Sequence, residues 1–284
     1  MIGRITKQIS NLYTVEINGE KYECNARGKF RNIKLSPVVG DKVEINIDTL
    51  TIDKIYERVN KLDRPVVANV DIALIVTSIK KPDLSYTLLD KQITIIKSKN
   101  IEPIIILTKL DLLNKNESKE IKKFFNYYKK LGIKVFSNKQ ILRIKKNLKN
   151  KVVVLTGQTG AGKSTLLNKL DKKLNLETKP ISEALNRGVH TTRHTELYKI
   201  GKTYFVDTPG FSALDLNDLT IDELKNAFNE FDEYKCTFKD CTHTKEKNCG
   251  VIEALSKFQI LPSRYTNYVR FLKEINENSS KLYK

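Results

Sequence analysis

The sequence predicts a multidomain α/β protein: an N-terminal OB-type β-barrel, a P-loop nucleotide-binding domain, and a C-terminal helical domain stapled by metal. Three observations predict it. Short β-forming segments crowd the first 60-odd residues. Apolar runs then alternate with helical patterns around a glycine-rich loop at 157–164, as in a doubly wound parallel sheet. Three of the four cysteines fall between 236 and 249, with a histidine among them. The expected boundaries are 1–62 for the barrel, 63–213 for the nucleotide domain and 214–284 for the tail.

In the barrel, strands are expected around Ile5 and at 13–17, 21–24, 43–47 and 52–59. Asn18-Gly19 between the second and third is a tight hairpin signal. Residues 37–41 read as a loop feeding the fourth strand. Five short strands fit an OB-type barrel, whose open face often binds oligonucleotides; an SH3-like barrel without a ligand fits the same pattern.

From about residue 65 the pattern changes. Residues 71–77 form a continuous apolar run, as in a strand covered on both faces. Residues 86–98 place Leu88, Leu89, Ile93 and Ile96 on one side of a helix. Further strands are expected at 103–107, 134–136, 152–155 and 203–206, with helices at 119–131 and 164–170. The basic stretch 139–151 reads as a solvated helix face. In the tail, helices are expected at 221–231, 250–257 and 262–274.

Gly157-Gln158-Thr159-Gly160-Ala161-Gly162-Lys163-Ser164, followed by Thr165, matches G-x-x-x-x-G-K-[ST] between a strand and a helix. Its glycines let consecutive amides face phosphate oxygens, and the helix N-terminus adds positive charge. Lys163 reaches the β- and γ-phosphates, and the Ser164 hydroxyl suits Mg²⁺. Asp207-Thr208-Pro209-Gly210 follows an apolar strand and matches D-x-x-G. Its aspartate holds Mg²⁺ and the Gly210 amide senses the γ-phosphate. Thr108-Lys109-Leu110-Asp111 ends another strand. The Asp111 carboxylate can accept from guanine N1–H and N2–H₂, which adenine does not offer. Thr108 stands where Asn is usual, a substitution that predicts weaker base affinity.

The order is unusual, because the base-reading segment precedes the P-loop. The parts of a GTPase are present but rotated in sequence, which a fold tolerates when its old termini lie close together. Between the P-loop and Asp207, Thr191 and Thr192 are both candidates for the switch threonine that meets Mg²⁺ and γ-phosphate. Phe211 occupies the place where Ras-like enzymes carry the water-orienting Gln, which leaves His190 as the nearest group for that task.

Cys236, Cys241, His243 and Cys249 make a Cys₃His set. Such a set closes a tetrahedron around one structural Zn²⁺ and leaves no open position. Cys24 reads as a plain strand residue. The formal net charge of +18 favours a polyanionic partner. No run of 18 apolar residues exists to span a membrane, and the start lacks the apolar core of a signal peptide. A cytoplasmic monomer with no membrane contact is expected.

Taken together, the motif order, the Gly188-x-His190-Thr191-Thr192 segment, the cysteine spacing and the barrel resemble the ribosome small-subunit-dependent GTPase A (RsgA) family of circularly permuted GTPases. The resemblance spans essentially the whole chain. Thr108 and Val189 depart from the family's commoner residues. The resemblance implies a GTPase using GTP/GDP and Mg²⁺ that binds the small (30S) ribosomal subunit and its 16S rRNA late in assembly. It implies subunit-stimulated hydrolysis, release of another assembly factor, and a catalytic role for His190. The rival readings are an RNA-binding assembly factor with nucleotide as a structural switch, and a permuted GTPase of large-subunit assembly. Because the D-x-x-G loop leads directly into the tail, loss of γ-phosphate is expected to reposition the metal domain.

Overall fold

The computed structural model describes residues 1–28, 30, 35–63, 65–172, 174, 195–207, 216 and 219–282. Five strands close the barrel: β1 (Ile2–Ile9), β2 (Leu12–Ile17), β3 (Glu20–Ala26), β4 (Lys42–Asn46) and β5 (Thr51–Ile55). The order β1-β2-β3-β5-β4 returns to β1 through a β1–β4 pairing, and β3 runs parallel to β5. This closure is of the OB type and decides between the two small barrels that the sequence allowed. Ile5, Val15, Cys24, Val43 and Ile52 fill its interior at alternate strand positions, so Cys24 is indeed a core residue. Asn18 and Gly19 turn with φ of 53° and 98°, the left-handed pair that a two-residue hairpin requires.

The fifth strand is shorter than expected and stops at Ile55. Beyond it Arg58 turns back onto buried Asp41, donating through Nε and Nη2 at 2.7 Å each. Asp41 also accepts from the Val38 amide at 2.8 Å, so this ion pair pins the chain where it leaves the barrel. A small hairpin then follows, β6 (Lys61–Asp63) with β7 (Val66–Ala68). Its three-residue strands are too short to leave a periodic signal. It packs on the barrel at Gly40, where an added Cβ would lie 2.0 Å from the Ala68 carbonyl oxygen.

The nucleotide domain contains β8 (Ile72–Ser78), α1 (Tyr86–Ser98), β9 (Glu102–Thr108), α2 (Lys115–Lys130), β10 (Lys134–Ser137), α3 (Ile141–Leu148), β11 (Val152–Thr156), α4 (Lys163–Leu170), β12 (Glu196–Ile200) and β13 (Thr203–Asp207). Its sheet runs β10-β9-β8-β11-β13-β12, parallel except for the antiparallel last strand β12. Alternation divides each strand between two cores. Ala73, Ile75, Ile105 and Val154 face α1 and α2, whereas Leu74, Ile104, Ile106 and Val153 face α3 and α4. The stretch 139–151 forms α3, with Ile144 and Leu148 buried and its lysines outside. Strand β12 was not anticipated, because Glu196 and Lys199 interrupt its apolar pattern.

Strand β12 also meets the barrel. Lys7 of β1 pairs in register with Glu196, making one continuous eleven-stranded sheet. Their side chains form an ion pair at 3.2 Å. Glu16 of β2 receives the Lys199 ammonium and, at 2.9 Å, the Tyr204 hydroxyl.

The tail holds α5 (Ile221–Ala227), a 3₁₀ turn at Asn229–Glu233, α6 (Gly250–Ser256) and α7 (Pro262–Leu282). Thr220 and Glu223 form a reciprocal capping box that starts α5. The tail has its own apolar core, which Ile95 of α1 joins. At the seam, fully buried Arg264 donates to Asp90 at 2.8 Å and to Glu230 at 2.7 Å. Its guanidinium lies 3.7 Å from the centre of the Phe228 ring. Tyr128 and Asn267 donate to the same Asp90 carboxylate at 2.8 and 2.6 Å. Burial opposes the Arg264 charge, but Asp90 and Glu230 outweigh it and push the guanidinium pKa up. Any displacement of the tail against α1 must break this buried network. Among the described residues, no helix is long and apolar enough to cross a membrane.

Candidate nucleotide site and metal centre

The phosphate loop joins β11 to α4 at the carboxyl end of the parallel strands, where open α/β sheets bind ligands. Gly157, Gly160 and Gly162 all take positive φ, at 135°, 75° and 96°. At Gly157 the need is also steric, because an added Cβ would lie 2.1 Å from the Val76 carbonyl oxygen. Lys163 Nζ donates to the carbonyls of Gly157 and Gln158 at 2.7 and 2.8 Å, which folds the ammonium over the loop. Burial lowers the Lys163 pKa. An incoming phosphate would oppose that shift by supplying negative charge. Ser164 lies in the first turn of α4. Thr159, Gly160 and Thr165 are exposed, while Ala161 is buried beneath them.

The candidate base-reading segment, residues 108–111, comes to the same place from the other side of β8. Thr108 ends β9, is buried, and donates from its hydroxyl to the Ala161 carbonyl at 2.7 Å. Thr108 therefore ties its own loop to the phosphate loop through its hydroxyl. Lys109 adopts a left-handed conformation with φ of 56°, and its ammonium donates to the Lys81 carbonyl. Leu110 and Asp111 open a 3₁₀ turn at Leu110–Leu112, which leaves Asp111 exposed.

Asp207 is the last residue of β13, and β13 pairs in parallel with β11. Its backbone thus reaches the same end of the sheet as the phosphate loop. The side chain of Asp207 lies outside the described part of the structure, as do residues His190, Thr191, Thr192 and Gly210. One contact here was not foreseen: buried Gln92 of α1 donates to Thr156 Oγ1 at 2.9 Å, bracing the strand end before the loop. An isolated Gln on a helix carries no sequence signal for that role.

Cys236, Cys241, His243 and Cys249 converge, with their ligand atoms all within 4.8 Å of one another. The Cys236 and Cys249 sulfurs are 3.8 Å apart, and each lies 3.5 Å from His243 Nδ1. Tetrahedral Zn²⁺ with its usual bond lengths sets sulfurs about 3.8 Å apart and sulfur–nitrogen pairs about 3.6 Å apart, so these donors fit that ion through Nδ1. Burial pushes the Cys241 thiol up to about 12, raises Cys249, and lowers His243. Burial thus favours neutral imidazole, ready to ligate, but penalises free thiolates, so a cation is needed to hold them deprotonated.

Glu246 organises this loop. Its carboxylate accepts from the Thr242 amide at 2.7 Å, the Thr244 amide at 2.8 Å and the Lys245 amide at 3.0 Å. Burial alone would raise its pKa, but these donors and the Thr242 hydroxyl bring it below the usual carboxylate range. Stripping metal with a strong chelator should remove about one zinc per chain and melt the tail separately from the barrel, as seen by circular dichroism. A purified chain with no zinc and no response to chelator would refute the site.

Comparisons with known proteins agree with this architecture. Residues 55–217 match the RsgA GTPase family and residues 2–52 the RsgA N-terminal domain. The small ribosomal subunit biogenesis GTPase RsgA 2 of Oceanobacillus iheyensis is 44% identical, over 96% of this chain and 97% of its own length. The Staphylococcus saprophyticus small ribosomal subunit biogenesis GTPase RsgA is 42% identical, over 98% of this chain and 99% of its own. Among solved structures, YjeQ from Thermotoga maritima superposes with a TM-score of 0.82 at 35% identity, covering 96% of this chain and 98% of that one. YloQ, described as a circularly permuted GTPase, superposes with the same score at 32% identity, covering 97% and 95%. The chain belongs to the RsgA GTPase family, whose members hydrolyse GTP with a circularly permuted fold.

Proposed function

We propose that this chain acts in maturation of the small ribosomal subunit, binding the subunit and its 16S rRNA and hydrolysing GTP to GDP and phosphate faster when bound. The observation that supports this reading most is that relatives named for small-subunit biogenesis match it nearly end to end, with barrel, nucleotide domain and tail included. In this reading residues 1–62, 63–213 and 214–284 act as three domains of a cytoplasmic monomer. Gly157 to Gly162 present amides to the phosphates, Lys163 supplies charge beside the β- and γ-phosphates, and Thr165 supports the loop. Ser164 and Asp207 hold Mg²⁺, which neutralises charge as the phosphate leaves. Asp111 reads guanine, Lys109 and Leu110 flank the base, and Thr108 positions them through Ala161. Gly210 senses the γ-phosphate, Thr191 or Thr192 completes the metal contacts, and His190 orients the attacking water. Cys236, Cys241, His243 and Cys249 hold one structural Zn²⁺.

The test is multiple-turnover hydrolysis by the purified full chain, alone and with separated small or large subunits, with ATP as control. Stimulation by the small subunit, for GTP only, is expected. Stimulation by the large subunit alone would reverse the assignment of partner. GTP turnover unmoved by either subunit would sink the ribosomal part of the reading.

A further inference from the structure

A cleft of about 680 Å³ opens at the end of the nucleotide domain opposite the phosphate loop. The ends of α3 and α4 and the turn between β12 and β13 enclose it. Strand β11 and helix α4 both run between the two places, a separation of about 17 Å at ~3.3 Å per strand residue. The floor is apolar, built from Leu148, Leu170 and Phe205. Thr203 also lines it, but its hydroxyl is already used, donating to the Leu148 carbonyl at 2.8 Å.

The rim is basic. Lys145, Lys146, Lys149 and Lys202 line it, all exposed, against one acidic residue among the described ones, Asp171. No described carboxylate pairs with any of these four ammonium groups. Two helix C-termini face the cleft, each worth about half a negative charge, which still leaves it positive by about two charges. Lys145 and Lys146 sit in the last turn of α3, where they complement the helix dipole. Lys149 lies beyond that helix, and Lys202 comes from a hairpin remote in sequence, so helix capping accounts for neither. A solvated helix face explains α3 alone but not the convergence with Lys202.

We propose that this cleft binds the phosphodiester backbone of RNA, independently of sequence and apart from the nucleotide site. The choice of RNA as the polyanion rests on the ribosomal reading above. The chemistry fits a backbone better than a compact anion. The charges stand apart on exposed side chains around a rim, and among the described lining residues no buried polar group is free to read a small ligand. Among the described lining residues the one aromatic, Phe205, is buried, so it offers bases no open face to stack upon. Spread ammonium groups without base contacts position a backbone but read no sequence.

The test is a full-chain variant carrying Lys145→Ala, Lys149→Ala and Lys202→Ala. A matched control carries Lys119→Ala, Lys123→Ala and Lys130→Ala on the exposed side of α2, with the same loss of charge. The probes are a fluorescein-labelled mixed-sequence single-stranded 12-nucleotide RNA and purified small subunits, titrated across KCl concentrations. The cleft variant should weaken RNA binding at low salt by about tenfold and flatten the slope of log affinity against log salt by about two. The control should change neither, and unstimulated GTP hydrolysis and thermal unfolding should stay at wild-type values in both. Equal losses in the two variants, or none in either, would overturn the site. Competition by polyglutamate as strong as by RNA of equal charge would reassign the cleft to an acidic protein. A variant that loses RNA binding, in a chain that never binds small subunits, would uphold the cleft and defeat the ribosomal reading.

Discussion

Replacing Arg264 with alanine should destabilise the tail by about 3–5 kcal/mol, the usual cost of leaving buried charge without its partner. The guanidinium is fully buried between Asp90 and Glu230 and lies over the Phe228 ring. Its removal strands two carboxylates in a site that water does not reach and leaves a hole beside Phe228. Glu230 Oε2 already lacks a hydrogen-bond partner among the described residues, so no reserve exists to absorb the loss. Urea unfolding followed by far-ultraviolet circular dichroism, with zinc in excess, measures the effect. The sharper comparison is a triple variant, Asp90→Leu, Glu230→Met and Arg264→Met. An apolar replacement of similar volume should recover most of the loss, since desolvation of the charges is then no longer required. A loss below about 1 kcal/mol for Arg264→Ala would place the pair in the range of exposed ion pairs and remove it as the anchor of the tail.

Lys163→Ala should lower GTP turnover by about 10²–10³-fold or more, the scale for deleting one preorganised group that stabilises developing charge. Lys163 is the sole cation of the phosphate loop, and its ammonium is already held over that loop by the Gly157 and Gln158 carbonyls. The substitution should leave the fold intact, because the apolar underside of α4 is carried by Leu166, Leu167 and Leu170. Initial-rate assays with and without small subunits, beside a thermal melt, separate the outcomes. Wild-type turnover in the variant would remove Lys163 from the chemistry. Lost turnover together with a collapsed melt would show a role in folding instead.

Much of this was legible before any coordinates. The phosphate loop, the Cys₃His set and the parallel strands announce themselves because each imposes a fixed spacing or an unbroken apolar run. The candidate base-reading segment was legible as a motif, but the packing of Thr108 was not. The missing Asn amide pointed to weaker base contact, whereas the hydroxyl is occupied with the Ala161 carbonyl. That partner lies 53 residues away, and no local pattern encodes it. The same reason hides Arg264, which reads as one more arginine on a helix until Asp90 arrives from 174 residues earlier. Strands β6, β7 and β12 escaped for a local reason: three-residue strands have no period to detect, and β12 carries charge that serves its junction with the barrel.

That junction has a mechanical consequence. Barrel strand β1 bonds to β12, while α7 of the tail grips α1 through Arg264. Both appended parts are thus clamped to the central domain as well as tethered by the chain. Clamped parts hold their contact surfaces at set distances, in the manner of a gauge. A partner whose matching surfaces are correctly spaced engages them all at once, and each contact raises the effective concentration of the next. For any partner that touched all three parts, one misplaced surface would forfeit that multiplication, so binding would depend on the partner's geometry as well as its presence.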